Sequence, residues 1–194
     1  MMNFNQVVVE KMAYSLPPHI VSSRELEGTL APLYQRLNLQ IGRLELMTGI
    51  EERRFWDSHQ QASQSSAEAG IKLLKEGEID PNAVDLLIHS AVCRDRLEPA
   101  TASYVHNLMG LGQNTQILDV SNACLGFLNA LILGGSMIEQ GMIDRAIIVA
   151  GENGKPLVDE TVRLLNESKF DRKQIKPYFA NLTIGGGAVA WSIC

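Results

Sequence analysis

The sequence contains little cysteine, few aromatic residues and no cluster of basic charge. Cysteine occurs three times in 194 residues, at positions 93, 124 and 194. No pair has metal-ligand spacing and an odd, sparse set makes no disulfide framework, so we expect no metal centre and a reducing, cytoplasmic location. The formal net charge is −5, with acidic and basic residues intermixed. A nucleic-acid partner therefore has no electrostatic support.

The sequence also lacks a long hydrophobic run. Its longest uncharged apolar stretch, Leu125–Ile138, contains Asn129 and Ser136. The stretch is shorter than the roughly 20 residues that cross a bilayer. The amino-terminal residues, from Met1 to Gln6, lack the basic-then-apolar pattern of a signal peptide. We therefore expect neither a membrane span nor secretion.

Short runs rich in β-branched residues alternate with longer stretches of helical periodicity. Strands are predicted at 6–9, 50–56, 84–90, 117–120, 146–150 and 188–193. Ser22 and Glu25 have the spacing of a capping box at the start of the first helix, which Pro32 should kink or split. The alternation predicts an α/β fold with a mixed, mostly parallel sheet covered by helices. No repeat or linker interrupts the chain, so we expect residues 1–194 to form a single unit.

The stretch after Cys124 has a strong helical pattern. Apolar residues recur at helical spacing from Leu128 to Ile138, and no charged residue occurs among them. A helix that is apolar on every side is normally buried on every side, so we expect a buried central helix. Gly134 and Gly135 each cost about 1 kcal/mol relative to alanine in a helix interior. Their presence predicts that another backbone passes close by.

Cys124 lies between the predicted strand 117–120 and this helix, and two interpretations of it stay open. A thiol in the first turn of a helix faces the positive end of the helix dipole, which favours the nucleophilic thiolate. An inert cysteine that fills space in the core fits the position equally well. We interpret Cys93 and Cys194 as small buried apolar residues.

Glu98 follows the predicted strand 84–90, and Cys124 follows the next one. In an α/β sheet, functional groups gather beyond the carboxyl ends of the strands, so the two side chains can share a pocket. A carboxylate beside an apolar pocket can act as a general base. From the residues alone, a surface carboxylate paired with Arg94 or Arg96 is the more common arrangement.

Other potential sites give weaker signals. None of the four histidines has a partner four residues away, and His89 at a strand end is most simply a hydrogen-bonded core residue. The three glycines of Gly185–Gly187 lack the Lys-Ser/Thr of a phosphate loop and open no helix, which argues against nucleotide binding. We therefore expect no bound cofactor.

Several segments together resemble the thiolase superfamily, in its ketoacyl synthase III branch. The segments that carry this resemblance are Thr48–Arg54, Asp119–Phe127, Gly141–Gly151 and Gly185–Val189. Cys93–Ser103, and Arg53–Asp57 followed by Gln61–Ser63, are similar to the OleA family of acyl-CoA condensing enzymes in bacterial olefin biosynthesis. The resemblance covers nearly the whole chain but only the N-terminal half of the family's protein.

The resemblance implies a fold and a chemistry. The fold is the N-terminal half of a thiolase, in βαβαβαββ order. Cys124 is implied to be the nucleophile that takes an acyl group from a first acyl-CoA. Glu98 is implied to reach across a dimer interface and remove the α-proton of a second acyl-CoA. Claisen condensation and hydrolysis of the thioester then give a long-chain β-keto acid, so the implied activity is that of an acyltransferase.

The chain departs from the family pattern in two places. The family takes a His and an Asn from its C-terminal half, which we expect to be absent here. Either the chain is a fragment, or a separate polypeptide supplies the other half. Ketoacyl synthase III enzymes carry an Arg just before Thr-Gly-Ile, where this chain has Met47. Three functions stay open: half of a condensing enzyme, a non-catalytic partner subunit that supplies Glu98 in trans, or a 3-oxoacyl-ACP synthase III-type initiation enzyme.

Overall fold

The computed structural model describes residues 3–194, which form two compact units. The first unit consists of the chain up to Leu16, Gln60–Glu152 and Gly187–Cys194. The second consists of Pro17–His59 and Asn153–Gly186. Both units are discontinuous in sequence, and no composition change marks their boundaries.

Seven strands and seven α-helices occur within the described residues. The strands are β1 (Val9–Ser15), β2 (His19–Ser22), β3 (Glu52–Phe55), β4 (Leu86–His89), β5 (Gln116–Asp119), β6 (Ala146–Asn153) and β7 (Gly186–Ile193). The helices are α1 (Ser23–Thr29), α2 (Ala31–Leu37), α3 (Arg43–Thr48), α4 (Ala62–Gly77), α5 (Thr101–Met109), α6 (Gly126–Glu139) and α7 (Lys155–Glu167).

The first unit contains a five-stranded mixed sheet in the order β1-β7-β6-β4-β5. Strand β4 pairs in parallel with β5 and β6, whereas β1 pairs with β7 in antiparallel fashion. All four residues of β4 are buried, as expected for a central strand with both faces covered. Helix α5 packs against β4 and β5, and α4 packs against β1. The predicted α/β class and mixed sheet are confirmed.

The first strand is misplaced in the sequence prediction. The prediction was 6–9, but β1 begins at Val9 and ends at Ser15. The charged residues in this stretch obscure the apolar pattern of a strand. In the structure, Glu10 is held by Arg145 at 2.9 Å and by the hydroxyl of Ser192 at 2.8 Å. These polar contacts allow the edge strand to carry a charged residue, which in the sequence alone suggests a loop.

The second unit has a two-stranded antiparallel sheet, β2 with β3, beside helices α1, α2, α3 and α7. Its core joins leucines of α1 and α2 to Val158 and Leu165 of α7. The predicted capping box is present, because Ser22 and Glu25 exchange hydrogen bonds at the start of α1. Pro32 lies in the first turn of α2 and separates it from α1, as predicted.

Helix α6 is buried on one face only, so the prediction that it is buried on all sides is wrong for this chain. Its buried face includes Gly126, Ala130 and Ile138. Its other face exposes four leucine and isoleucine side chains by 39% to 55%: Leu125, Leu128, Ile132 and Leu133. The described residues provide no layer over this second face, although its composition is that of a core helix.

The two central glycines of α6 make room for side chains, which corrects the prediction that a backbone passes there. A Cβ atom on Gly134 would lie 3.2 Å from Ile193 Cδ1 of β7. A Cβ atom on Gly135 would lie 3.3 Å from the ring of Phe4. The glycines therefore let α6 approach the sheet and the N-terminal segment closely.

Candidate active site

Cys124 lies in the short turn that joins β5 to α6 in the first unit. Helix α6 begins at Gly126 with Leu125 as its N-cap residue, so Cys124 precedes the helix instead of lying in its first turn as predicted. Cys124 is exposed, so the residues that the structure describes do not bury its thiol in a core. The thiol is accessible to a reaction partner.

The turn that carries Cys124 has a strained backbone. Ala123 has a φ of 45°, in the left-handed region that non-glycine residues rarely adopt. Hydrogen bonds hold it there: Leu125 N–H donates to the carbonyl of Asn122 at 2.9 Å, and the side-chain amide of Asn122 donates to Asn129 Oδ1 at 2.8 Å. Such strain, at a cost of about 1–3 kcal/mol, persists where the surroundings fix a functional geometry.

The start of α6 lies directly against the end of β4. A Cβ atom on Gly126 would lie 2.9 Å from Ser90 Oγ, so only glycine fits here without a shift. Ser90 is 4% exposed, and its hydroxyl has no hydrogen-bond partner among residues 3–194. This close approach fixes the position of the Cys124 turn relative to the sheet.

Glu98 lies in the loop between β4 and α5, and carboxylates hold this loop on both sides. Glu152 accepts the N–H groups of Val92 at 2.6 Å and of Cys93 at 3.0 Å. Asp95 accepts the N–H of Ser63 at 3.0 Å. These charge-assisted bonds anchor the first half of the loop to β6 and α4.

Asp119 anchors the second half of the loop. Its two oxygens accept the N–H groups of Thr101 and Ala102, both at 2.8 Å, at the start of α5. Asp119 also ends β5, five residues before Cys124. A single carboxylate therefore connects the Glu98 loop to the strand that leads to Cys124.

The tip of the loop faces solvent. Leu97 is 86% exposed, and Glu98 and Pro99 are also exposed. Within the described chain, no ion pair joins Glu98 to Arg94 or Arg96. Arg96 instead lies over the ring of Tyr104, 5.9 Å from its centroid. The loop is thus anchored by hydrogen bonds on both sides of its tip, and the tip exposes the carboxylate of Glu98, which has no ion-pair partner among the described residues.

His89 lies at the end of β4 as a buried residue, as the sequence predicts. Its Nδ1 is 3.8 Å from Asp119, and its Nε2 has no hydrogen-bond partner among the described residues. Burial lowers the pKa of His89, and the negative charges of Asp119, Asp95 and Glu152 oppose this shift. Burial therefore favours the neutral imidazole, and the predicted hydrogen-bonded state holds for one ring nitrogen at most.

Replacing Asp119 with alanine should lower the free energy of unfolding by about 1–3 kcal/mol, because two helix N–H groups lose their acceptor. Urea-induced unfolding measures this change. Asp144→Ala is a matched control, since Asp144 is an exposed aspartate of the same unit. Equal effects of the two substitutions would contradict the anchoring role of Asp119.

The second unit contains a cation-lined cleft that the sequence did not reveal. The cleft has a volume of about 500 Å³, and its lining includes four cationic residues, Arg43, Arg172, Lys173 and Lys176. Leu39, Met47, Ile175 and Phe179 supply its apolar surface. No acidic side chain is among the lining residues. In a chain with a net charge of −5, this cleft concentrates positive charge beside an apolar surface.

Buried Glu27 positions one wall of this cleft. It accepts the N–H of Gly42 at 2.5 Å and of Leu44 at 2.7 Å, at the start of α3. It also accepts the hydroxyl of Tyr34 at 2.7 Å, and burial together with this contact raises the pKa of Tyr34. Helix α3, which carries Arg43 and Met47, is thereby fixed to α1 and α2.

Neither a metal-binding cluster nor a membrane-spanning helix occurs within residues 3–194. No group of three His, Cys, Asp or Glu residues in this range could hold a metal ion. No helix of the described chain has the length and hydrophobicity needed to cross a membrane.

Comparison with known proteins places this geometry in a family context. Residues 118–172, which include the Cys124 turn and α6, match the 3-oxoacyl-[acyl-carrier-protein (ACP)] synthase III family. An acyl-CoA:acyl-CoA alkyltransferase of Shewanella oneidensis is 38% identical over 97% of this chain and 54% of its own length. A second, from Xanthomonas campestris, is 35% identical over 97% of this chain and 56% of its own length.

Solved structures of related proteins also match this chain. OleA of Xanthomonas campestris with cerulenin matches with a TM-score of 0.93 and 34% identity, over 98% of this chain and 58% of that one. An OleA variant with bound lauric acid and lauroyl-CoA matches with a TM-score of 0.94 and 33% identity, over 99% of this chain and 57% of that one. The chain spans a little over half the length of these relatives. It is an OleA-like, ketoacyl synthase III-like protein of the thiolase superfamily that corresponds to part of the OleA chain.

Proposed function

We propose that this chain forms the N-terminal half of an acyltransferase that condenses two fatty acyl-CoA thioesters into a long-chain β-keto acid. The observation that carries the proposal is the exposed Cys124 thiol on a strained turn at the start of α6. The relatives named acyl-CoA:acyl-CoA alkyltransferase support an acyl-CoA substrate.

In the first step, the Cys124 thiolate attacks the carbonyl carbon of a first acyl-CoA. A carbon–sulfur bond to Cys124 forms, the bond to coenzyme A breaks, and coenzyme A leaves as its thiolate, which takes a proton from water. The acyl-enzyme holds one chain in place while the second enters, which supplies proximity for the bimolecular step.

In the second step, the Glu98 carboxylate removes the α-proton of a second acyl-CoA. The resulting carbanion attacks the acyl-Cys124 carbonyl, the new carbon–carbon bond forms, and the Cys124 thiolate departs. Hydrolysis of the remaining coenzyme A thioester gives the β-keto acid. We propose that Glu98 comes from a second copy in a thiolase-type dimer, and its exposed, unpaired carboxylate supports this arrangement.

We further propose that a complementary half, within the same polypeptide or a separate one, completes the site with a His and an Asn. The relatives are nearly twice as long as the matched region. The exposed apolar face of α6, formed by Leu125, Leu128, Ile132 and Leu133, supports the proposal. A core-like helix face of this kind is normally covered in the working protein.

The cation-lined cleft fits the phosphates of coenzyme A in this proposal. Lys176→Glu should raise KM for acyl-CoA about fivefold to tenfold with a smaller effect on kcat, since it removes an attractive charge and adds a repulsive one. Steady-state kinetics at low ionic strength measures this. Lys169→Glu is the matched control, because Lys169 is an exposed lysine outside the cleft. Equal KM changes in both variants would contradict the assignment.

A ketoacyl synthase III-type initiation activity is the second candidate, favoured by the family match over residues 118–172. The two functions differ in the second substrate, which is a fatty acyl-CoA in one and a substrate bound to acyl carrier protein in the other. A non-catalytic subunit that only supplies Glu98 is a third possibility, and the exposure of Cys124 argues against it.

The test is product analysis of the purified chain with its complementary half present. Incubation with acyl-CoA thioesters of several chain lengths should yield β-keto acids whose carbon number is the sum of both acyl chains, in the absence of acyl carrier protein. Mass spectrometry of the extracted acids measures this. A requirement for malonyl-acyl carrier protein would favour the initiation enzyme instead.

A further inference from the structure

His89 is a buried titratable residue that the proposed reaction does not use. It is 1% exposed at the end of β4, and its Nε2 atom has no hydrogen-bond partner among the described residues. Most buried side-chain nitrogens in folded proteins have such a partner. A buried ring also responds to the charges around it more strongly than an exposed one, because little water screens them.

Charged groups from three elements act on the His89 ring. Burial lowers the pKa of His89, and three negative charges oppose this shift: Asp119 in β5, Asp95 in the loop between β4 and α5, and Glu152 in β6. The positive charge of Arg94, in the same loop, lowers the pKa further. The first turns of α4, α5 and α6 contribute no acidic side chain. Three carboxylates therefore act on one ionisable ring.

The same three carboxylates hold the loop that carries Glu98. Glu152 accepts two N–H groups at the start of the loop, and Asp95 accepts an N–H in the first turn of α4. Asp119 accepts two N–H groups at the start of α5, where the loop ends. Each of these anchors is thus an anion whose energy depends on the charge of the buried ring.

One oxygen of Asp119 has two competing donors. Asp119 Oδ1 accepts the N–H of Ala102 at 2.8 Å, and His89 Nδ1 is 3.8 Å from the same atom. A distance of 3.8 Å is too long for a hydrogen bond, so the neutral ring leaves this oxygen to α5. A charged imidazolium forms N–H···O bonds of about 2.7–2.9 Å with a carboxylate. A movement of roughly 1 Å between the two side chains would therefore form such a bond at the expense of the bond to Ala102.

We propose that His89 is a positioning residue that controls the Glu98 loop through Asp119. While the ring is uncharged, Asp119 stays bonded to the start of α5, and the loop is held at its second end. When the ring takes up a proton from solvent, Asp119 Oδ1 turns to His89 Nδ1, and the N–H of Ala102 loses its acceptor. The effect on the loop follows from these contacts, whereas an effect on condensation rests on the proposed function, in which Glu98 is the base.

The direction of the pH dependence follows from burial. An exposed histidine has a pKa of about 6.5, and burial moves the pKa of His89 below this value. The loop is therefore held at neutral pH and loosens only as the pH falls below about 6.5. The unfolded chain takes up the proton more readily than the folded one, so the folded state loses stability over the same range.

Hydrogen exchange followed by NMR tests the control of the loop without relying on turnover. The chain is studied with its complementary half present, from about pH 7 to about pH 5, and each exchange rate is divided by the intrinsic rate at that pH. As His89 becomes protonated, the protection of the Thr101 and Ala102 amides should fall at least about tenfold. The amides of Ile88 and Ile148, in the buried part of the sheet, should keep their protection.

Replacement of His89 identifies the group that titrates. His89→Asn keeps an uncharged polar side chain, and it should abolish the loss of protection at the start of α5, as should His89→Gln. His106→Asn is the matched control, because His106 is a partly buried histidine of α5 whose Nε2 is 2.9 Å from the carbonyl oxygen of Gly112. It should leave the loss unchanged. A loss that persists in both His89 variants would overturn the proposal, and so would constant protection in the unchanged chain over the whole pH range.

Kinetics separates this inference from the function on which it rests. The condensation rate relative to the acylation rate of Cys124 should fall on acidification, and His89→Asn should shift this fall to lower pH. If Glu98→Gln stops condensation while protection at the start of α5 is the same in His89→Asn as in the unchanged chain, the positioning role is overturned and the proposed function stands. If Glu98→Gln leaves condensation unchanged while protection depends on His89, the proposed function fails and the control of the loop stands.

Discussion

Cys124→Ala is expected to abolish both acylation and condensation, with each rate lowered at least about a thousandfold. The reason is that Cys124 supplies the thiol of the turn before α6, and a thiolate is a much stronger nucleophile than the hydroxyl of Ser121, which is exposed on the same turn. Intact-mass analysis after incubation with a long-chain acyl-CoA measures acylation, and β-keto acid formation measures condensation. Both should be at background in the variant.

Cys194→Ala is the matched control, because it removes a less exposed thiol from the same unit. It should leave acylation and condensation at the level of the unchanged chain. Acyl transfer that persists in Cys124→Ala and disappears in Cys194→Ala would show that the nucleophile had been assigned to the wrong cysteine.

Glu98→Gln is expected to separate the two half-reactions. Acylation of Cys124 should continue, whereas condensation should fall about a hundredfold to ten-thousandfold, the usual contribution of a positioned general base. Glutamine keeps the size of the side chain and loses only its basicity. Glu76→Gln, an exposed glutamate of the same unit, is the control and should change neither rate.

Mixing the two inactive variants tests whether Glu98 acts in trans. A dimer of one Cys124→Ala copy and one Glu98→Gln copy has one site with both native residues. Random pairing should therefore restore about a quarter of the native activity. If mixing restored no activity while each variant dimerised normally, Glu98 would act within its own copy.

The sequence predicted the elements of the sheet well where burial dominates. β4, β6 and β7 are found close to their predicted positions, because short, mostly apolar runs bounded by polar or glycine-rich segments are typical of a covered strand. β1 was misplaced because Glu10 reads as polar until Arg145 and Ser192, both distant in sequence, are seen to hold it. Local pattern carries no information about such partners.

The helix after Cys124 shows a different limit. Its composition predicts burial on every side, and within this chain it is buried on one. The apolar composition of the helix reflects every surface that it contacts in the working assembly, whereas the structure shows only the contacts that this chain itself provides. This difference between the predicted and the observed burial of α6 supports the proposal of a complementary half.

Site prediction depended on local motifs. Cys124 and Glu98 were assigned catalytic roles through short segments that resemble a family, and these roles stay predictions. The carboxylates of Asp119 and Glu152 were missed as loop anchors, although Asp119 stands at the end of a predicted strand, where a helix cap is a plausible role. The cation-lined cleft was missed because Arg43 and Lys176 come together only through the fold.

The most direct test of the central claim is the mass of the peptide that contains Cys124. The mass is measured after the chain has been incubated with a long-chain acyl-CoA in the presence of its complementary half. The account predicts an increase equal to one acyl group, located on Cys124 and removed by hydroxylamine, as expected for a thioester. An unchanged mass at Cys124 under these conditions would contradict it.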